Sequence, residues 1–257
     1  MLKITSIVSA AIICASNVVY ADNSKHKCSD LPDFMALKKA LVAARNEANG
    51  GFNLDMWGTI VNRDGVVCAV AFTGGNRGDQ WPGSRVISAQ KANTANAFSL
   101  PGLALSTANL YTATQPGGSL FGLQHSNPVS TWVAYKGPSS NYGRHDDPMV
   151  GSKVGGVNVF GGGLALYNAE GILIGGLGVS GDSSCADHNI AWRTRHNLGL
   201  DYVPSGVSGD AIRPDNIVYD IKPQKGQMSG VSAKGWGHPA CNGDVAGIAA
   251  SLPAVPQ

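Results

Sequence analysis

Residues 155–195, GGVNVFGGGLALYNAEGILIGGLGVSGDSSCADHNIAWRTR, decide the fold. Two apolar runs flank Asn168-Ala169-Glu170-Gly171. An Asn-x-x-Gly step between such runs is hairpin chemistry, because both residues tolerate the backbone angles of a tight reversal. The second run passes through small residues, Gly175 to Gly181, into Asp182. A helical pattern with a polar, histidine-bearing start follows. The stretch reads as strand, tight turn, strand, glycine-lined bend and helix entrance, and a backbone-walled pocket is expected at the bend.

Working outward, Met56 to Val61 and Val66 to Phe72 are short apolar runs separated by Asn62-Arg63-Asp64-Gly65, a second hairpin signal. Before them, Asp30-Leu31-Pro32-Asp33 offers an N-cap, an early proline and an acid. Phe34, Leu37, Leu41, Ala44 and Ala48 then recur near the helical period up to Gly50-Gly51. Ser84 can cap a second helix, whose small residues Ser88, Ala92 and Ala95 allow close packing on a sheet. Ser106 offers a cap for a short third helix. From about 99 to 155 the chain lacks sustained periodicity and is rich in Gly, Pro, Ser and Asn, the mark of a loop insertion. After Leu200 the pattern fades into an irregular tail, about 200–257, with one possible strand at Ile217 to Ile221. Hairpins interleaved with helices predict an α+β fold, an antiparallel sheet with helices packed on it, in a single domain over 22–257.

The first 21 residues carry a basic start at Lys3, an apolar run from Ile4 to Ala15 and a small-residue site at Val18-Val19-Tyr20-Ala21. This is the form of a cleaved secretory signal, too short to span a bilayer. Export to the periplasm or the extracellular space is therefore expected, with no membrane partner after cleavage. Net charge is +2, with 19 basic and 17 acidic residues, and no basic cluster suggests nucleic-acid binding. Beyond the leader, Cys28, Cys68, Cys185 and Cys241 allow two disulfides in three pairings. Cys185 with Cys241 and Cys28 with Cys68 is the favoured set, although Cys68 inside an apolar run also suits a buried free thiol.

Gly176-Leu177-Gly178-Val179-Ser180-Gly181 matches the dinucleotide fingerprint in form, with Asp201 about twenty residues on. The hairpin before it argues against the parallel unit that fingerprint requires. Ser180 approaches a nucleophile elbow but lacks the Gly-x-Ser-x-Gly spacing. His125, in the long loop, and His188, at the start of the last helix, flank the glycine-lined region and are the candidate ligand or metal residues. His145-Asp146-Asp147 resembles a carboxylate–histidine metal fragment. Lys91 is the one lysine on a small-residue helix face and suits an anion anchor. Trp81, Phe121, Trp132 and Trp192 are candidate walls for a flat ligand.

Three segments together resemble the GlcG and HbpS family of haem-binding or haem-degrading-domain proteins, which also includes the C-terminal domain of PduO-type cobalamin enzymes. They are Ile60-Val-Asn-Arg-Asp-Gly65, Ser88-Ala-Gln-Lys91-Ala-Asn-Thr-Ala95, and Gly171 to Gly181 followed by Asp187. The resemblance covers about residues 31 to 198. It implies a profilin-like α+β sandwich that tends to form homo-oligomers and binds haem or a related tetrapyrrole. Lys91, Gly178, Ser180, Gly181 and Asp187 match the family pattern. Some members ligate haem through a histidine of the first helix, and Leu31 to Asn49 contains none.

These readings combine into an exported haem-binding protein serving haem uptake, sensing or degradation. His125 or His188 is the expected axial ligand, Lys91 the propionate partner, and Asp187, Gly178, Ser180 and Gly181 the pocket wall. An enzyme acting on a small, glycolate-like hydroxy acid with His188 as general base is the first alternative. A secreted structural or interaction module using loop 115–153 is the second.

Overall fold

The computed structural model describes residues 28–256. The leader expected over 1–21 lies outside the described residues. Helix α1 (Phe34–Arg45) begins where the Asp33 carboxylate accepts the Ala36 amide at 2.9 Å. The cap is Asp33 rather than Asp30, because Pro32 disfavours helical geometry at the residue before it. Leu37, Leu41 and Ala44 form its buried stripe.

Both expected hairpins are present and use one device. In the first, β1 (Trp57–Asn62) and β2 (Val67–Phe72) are joined by a turn in which Asn62 Oδ1 accepts the amides of Asp64 and Val66. In the second, β3 (Gly163–Tyr167) and β4 (Leu173–Ser180) are joined where Asn168 Oδ1 accepts those of Glu170 and Ile172. Such Asx turns substitute a side-chain carbonyl for a backbone one. Gly171 follows at φ +71°, a conformation that strains any residue with a Cβ.

The four strands pair antiparallel in the order β2-β1-β4-β3. Helix α2 (Ser84–Ala97) crosses one face, and α1 with α6 (Ser184–Asn197) covers the other. The architecture is the α+β arrangement expected. The bend expected between Gly175 and Gly181 is instead continuous strand as far as Ser180. Strand alternation points Leu177 and Val179 into the α1–α6 core and leaves Gly176 and Gly178 beneath α2. A Cβ on Gly178 would lie 1.9 Å from the Ser88 carbonyl oxygen, and one on Gly176 2.4 Å from that of Ala92. The fingerprint-like glycines are therefore the seat of a helix lying directly on the sheet. Ser88, Ala92 and Ala95 supply the matching small side of the contact.

The segment 99–155 holds more order than its composition suggests. Ser106 and Asn109 form a capping box over a short 3₁₀ turn, and three four-residue helices follow, α3 (Tyr111–Thr114), α4 (Leu123–Ser126) and α5 (Thr131–Ala134). The segment is held to α2 by a buried Arg85–Asp147 pair, with Arg85 Nε donating to the carboxylate at 2.9 Å. Its end, Gly151 and Ser152, hydrogen-bonds Val67 and so covers the β2 edge, while Leu200 accepts the Tyr167 amide at the β3 edge. Covered edges cannot template pairing with other chains.

The tail contains a hairpin of β5 (Ile221–Gln224) and β6 (Gln227–Ser232), then α7 (Val245–Ser251). Its strand begins at Ile221, where the expected one at Ile217 to Ile221 was to end. Arg195 binds the Asp215 carboxylate through two nitrogens at 2.6 and 2.9 Å, both side chains fully buried, and so ties the tail to α6. The disulfides are Cys28–Cys68 and Cys185–Cys241, the second fastening the tail to the first turn of α6. No helix among the described residues is long and apolar enough to cross a membrane.

Candidate functional site

The family-pattern residues converge where β4 leaves the sheet and α6 begins. Lys91 projects from α2 through the gap that Gly178 and Gly162 leave open, and a Cβ on Gly162 would stand 3.0 Å from its Nζ. That Nζ donates to Asp187 Oδ2 at 2.7 Å and to the Val179 carbonyl at 3.0 Å, with the Phe160 ring 5.1 Å away. The other oxygen, Asp187 Oδ1, accepts the amides of Gly181 and Asp182 at 3.0 and 2.9 Å. This carboxylate closes the strand-to-helix turn and complements the positive end of α6. Neither side chain of the pair reaches solvent. Burial pushes the Asp187 carboxyl up to about 6 and the Lys91 ammonium below its ordinary range, and in each the partner's charge opposes the shift.

Two histidines adjoin the pair. His188 is fully buried, its Nε2 lies 3.2 Å from both Asn216 Oδ1 and the Ile217 amide, and its Nδ1 has no partner. His238, from the tail, donates from Nδ1 to the Pro239 carbonyl at 2.8 Å, which leaves Nε2 to accept the Gly161 amide at 3.3 Å. Desolvation pushes His188 down to about 3 and His238 down to about 4, so both are neutral at pH 7. Tyr111 packs on the His238 ring at 5.1 Å. The backbone at Gly161 presses against the Ser184 carbonyl, and Asn216 to Val218 and Gly237 to Pro239 form a lid over the cluster.

The cluster is closed, and its polar groups are paired except for His188 Nδ1. The Lys91 ammonium, expected to face a propionate, is spent on Asp187 and Val179 and is sealed from solvent. His188, expected as an axial ligand or general base, lies beneath the tail against Asn216 and Ile217, and burial suits it poorly as a base near neutral pH. His125 lies on exposed α4, outside the buried cluster, so the structure does not unite it with His188 in one site. Among the described residues, no group of three or more His, Cys, Asp or Glu side chains could hold a metal ion. The His145-Asp146-Asp147 fragment splits: His145 is 80% exposed, whereas Asp147 is buried against Arg85. Trp192 is core, and Trp81, Phe121 and Trp132 are exposed, so the four form no common wall. Gly178, Ser180 and Gly181 are buried backbone of the helix seat and the turn.

The sequence reading passed over His238, which nothing in Gly237-His238-Pro239 distinguishes. It also passed over an open cavity of about 490 Å³ between the start of α1 and the middle of β2. Phe34, Met35, Val70 and Val150 give it an apolar wall, and Arg144 and His145 line it from the insertion. A second cavity of about 330 Å³ shares Arg144 and adds Arg77 and Asn76.

The family model for HbpS-like haem-degrading proteins matches residues 33–195, well over half of the chain. The chain belongs to that family. This HbpS-like protein is similar to a PduOC–haem complex, with 27% identity over 64% of this chain and 91% of the other and a TM-score of 0.44. It is also similar to the Klebsiella pneumoniae protein ORFY, at 22% identity over 65% and 90% with a TM-score of 0.43. HbpS itself aligns at 14% identity over 75% and 99%, with a TM-score of 0.39. No curated protein matches the chain. The matched span of this HbpS-like chain stops before its tail and encloses its insertion, the two segments that close the buried cluster and line the open groove.

Proposed function

We propose that the chain is an exported binding protein for haem or a closely related tetrapyrrole, serving its uptake, sensing or degradation, and that it works as a homo-oligomer. The observation that carries the reading is membership of the HbpS-like haem-degrading family over residues 33–195. Two disulfides among the described residues support an oxidising compartment, periplasmic or extracellular.

A haem needs an apolar slot, a nitrogen or sulfur ligand and cations for two carboxylates. The buried Lys91–Asp187–His188 cluster does not fit, being closed and internally paired. The open groove beside α1 fits in size, since small-molecule sites span about 300–1,000 Å³, and in chemistry, with an apolar wall and a free imidazole. Bound haem would supply an iron centre for ligand binding or redox chemistry. The protein's own part would be to shield the ligand from water, offer an imidazole nitrogen and neutralise its carboxylates.

The test is titration of purified mature protein with hemin. A saturable shift of the Soret band at defined stoichiometry is expected. Absence of any shift would overturn the reading.

A further inference from the structure

We propose that the ligand groove of this chain is built by its insertion, with His145 as the axial ligand and Arg77 and Arg144 as the propionate partners. The inference rests on the haem reading above and assigns that reading a site. Phe34 and Met35, at the start of α1, and Val150, at the end of the insertion, form the apolar part of the groove wall. Met35 is 67% exposed and Val150 37%, apolar surface that a flat ligand would cover. His145 stands at the rim, 80% exposed, with the edge of its ring toward Phe34 at 6.5 Å between centroids. Its Nδ1 lies 3.9 Å from the Asp146 carboxylate, and its Nε2 has no partner among the described residues.

Charge completes the match. Arg144 belongs to the walls of both cavities, so the cationic pocket opens beside the apolar one. Neither the Arg144 nor the Arg77 guanidinium has a hydrogen-bond or ion-pair partner among the described residues. Lys38 adds a third cation, 5.3 Å from the Phe72 ring that lines the second pocket. The nearby acids are already engaged: Asp33 caps α1, Asp79 accepts from Asn76, and Asp146 accepts from Asn141. An amphipathic ligand with a flat apolar body and two carboxylates at one edge answers this pattern, because guanidinium groups pair with carboxylates through parallel hydrogen bonds. His145 also supplies a histidine beside α1, the helix in which this chain has none of its own.

The experiment titrates hemin, and separately hemin dimethyl ester, into wild-type, His145→Ala and Arg77→Ala/Arg144→Ala proteins, with circular dichroism checking the fold. These side chains are exposed, so the variants should fold. His145→Ala is expected to lose the wild-type Soret position and to bind hemin at least about tenfold more weakly, and added imidazole should restore the position. The double arginine variant should bind hemin about tenfold more weakly while matching wild type toward the ester. Tenfold corresponds to about 1.4 kcal/mol of binding free energy. If wild-type protein binds hemin and His145→Ala leaves spectrum and affinity unchanged, the assigned site is wrong and the haem reading stands. If wild-type protein fails to bind hemin, both fall.

Discussion

Lowering the pH from 7 to 5 should weaken the fold markedly, because the seal over the β4–α6 junction encloses two neutral histidines. His188 is surrounded by Asn216 and Asp215 from the tail, Arg195 and Trp192 on its own helix, and His238 across the lid. Its folded-state value of about 3 lies far below the ordinary 6.5, and that of His238, about 4, does the same. A histidine depressed in the folded state stabilises the fold above pH 6.5, and the contribution drains away as the pH falls toward the folded value. In the unfolded chain each histidine takes up its proton between pH 7 and 5, while in the folded chain neither does. At about 1.4 kcal/mol per pH unit, each therefore removes about 2 kcal/mol over this interval. Asp187 acts in the opposite sense. Its carboxyl is raised to about 6, so the folded chain protonates it over the same interval while the unfolded chain does not. That returns about 1 kcal/mol, and the net loss is about 2–3 kcal/mol.

Urea unfolding of the oxidised protein at pH 7 and pH 5, at constant ionic strength, measures this difference. His188→Asn and His238→Gln should each flatten the pH dependence, even if each lowers stability at pH 7. Equal stability of the wild-type protein at the two pH values would refute the reasoning, since it would require both rings to be protonated or solvated in the folded state.

Two further outcomes follow from the same junction. Lys91→Met leaves the Asp187 carboxylate buried beside an apolar chain and should cost about 3–5 kcal/mol by urea unfolding, with Lys91→Met/Asp187→Asn clearly less destabilised; a single variant as stable as wild type would show that the pair is dispensable. Replacing Cys185 and Cys241 together by Ser releases a span of 56 residues in sequence and should lower stability by about 4 kcal/mol on the chain-entropy account. Hydrogen exchange should then quicken first at Gly237 to Pro239 and at Asn216 to Val218, and unchanged protection there would show that the lid is held by packing alone.

The sequence was most legible where local chemistry is self-sufficient. Asn62 and Asn168 each fix a hairpin by accepting two backbone amides, a device confined to five residues of chain. The stripe of Leu37, Leu41 and Ala44 likewise needs no partner to be recognised as a helix face. The glycines of β4 were read as a bend because glycine has two uses that look identical in sequence, backbone freedom and backbone proximity. Only the position of α2 shows that proximity is the one in force at Gly176 and Gly178. The same limit hid the state of Lys91. Its place on a small-residue face was visible, but its partner stands 96 residues further along the chain, and a lysine that is paired reads like one that is free. The open groove was illegible for a related reason: its wall comes from residues 33–35, 68–70 and 144–150, and their assembly depends on where the insertion lies down.

Unmet hydrogen-bonding capacity, combined with exposure, points to the groove proposed above, whereas the family pattern alone points to the junction. In the junction, both Asp187 oxygens are occupied and Lys91 makes two charge-assisted bonds, so a ligand arriving there would have to break bonds without making better ones. The orphan Nδ1 of His188 is the exception, and it lies in a closed interior where a missing partner burdens the fold without recruiting anything from solvent. At the groove the relation is reversed. Arg77, Arg144 and His145 are turned to water, their bonds to it are readily exchanged, and Met35 and Val150 beside them gain by being covered. The insertion and the tail thus act in opposite directions on one fold. The tail covers the family-pattern residues, which hold α2, β4 and α6 together, and the insertion sets a cationic, histidine-bearing rim beside the start of α1.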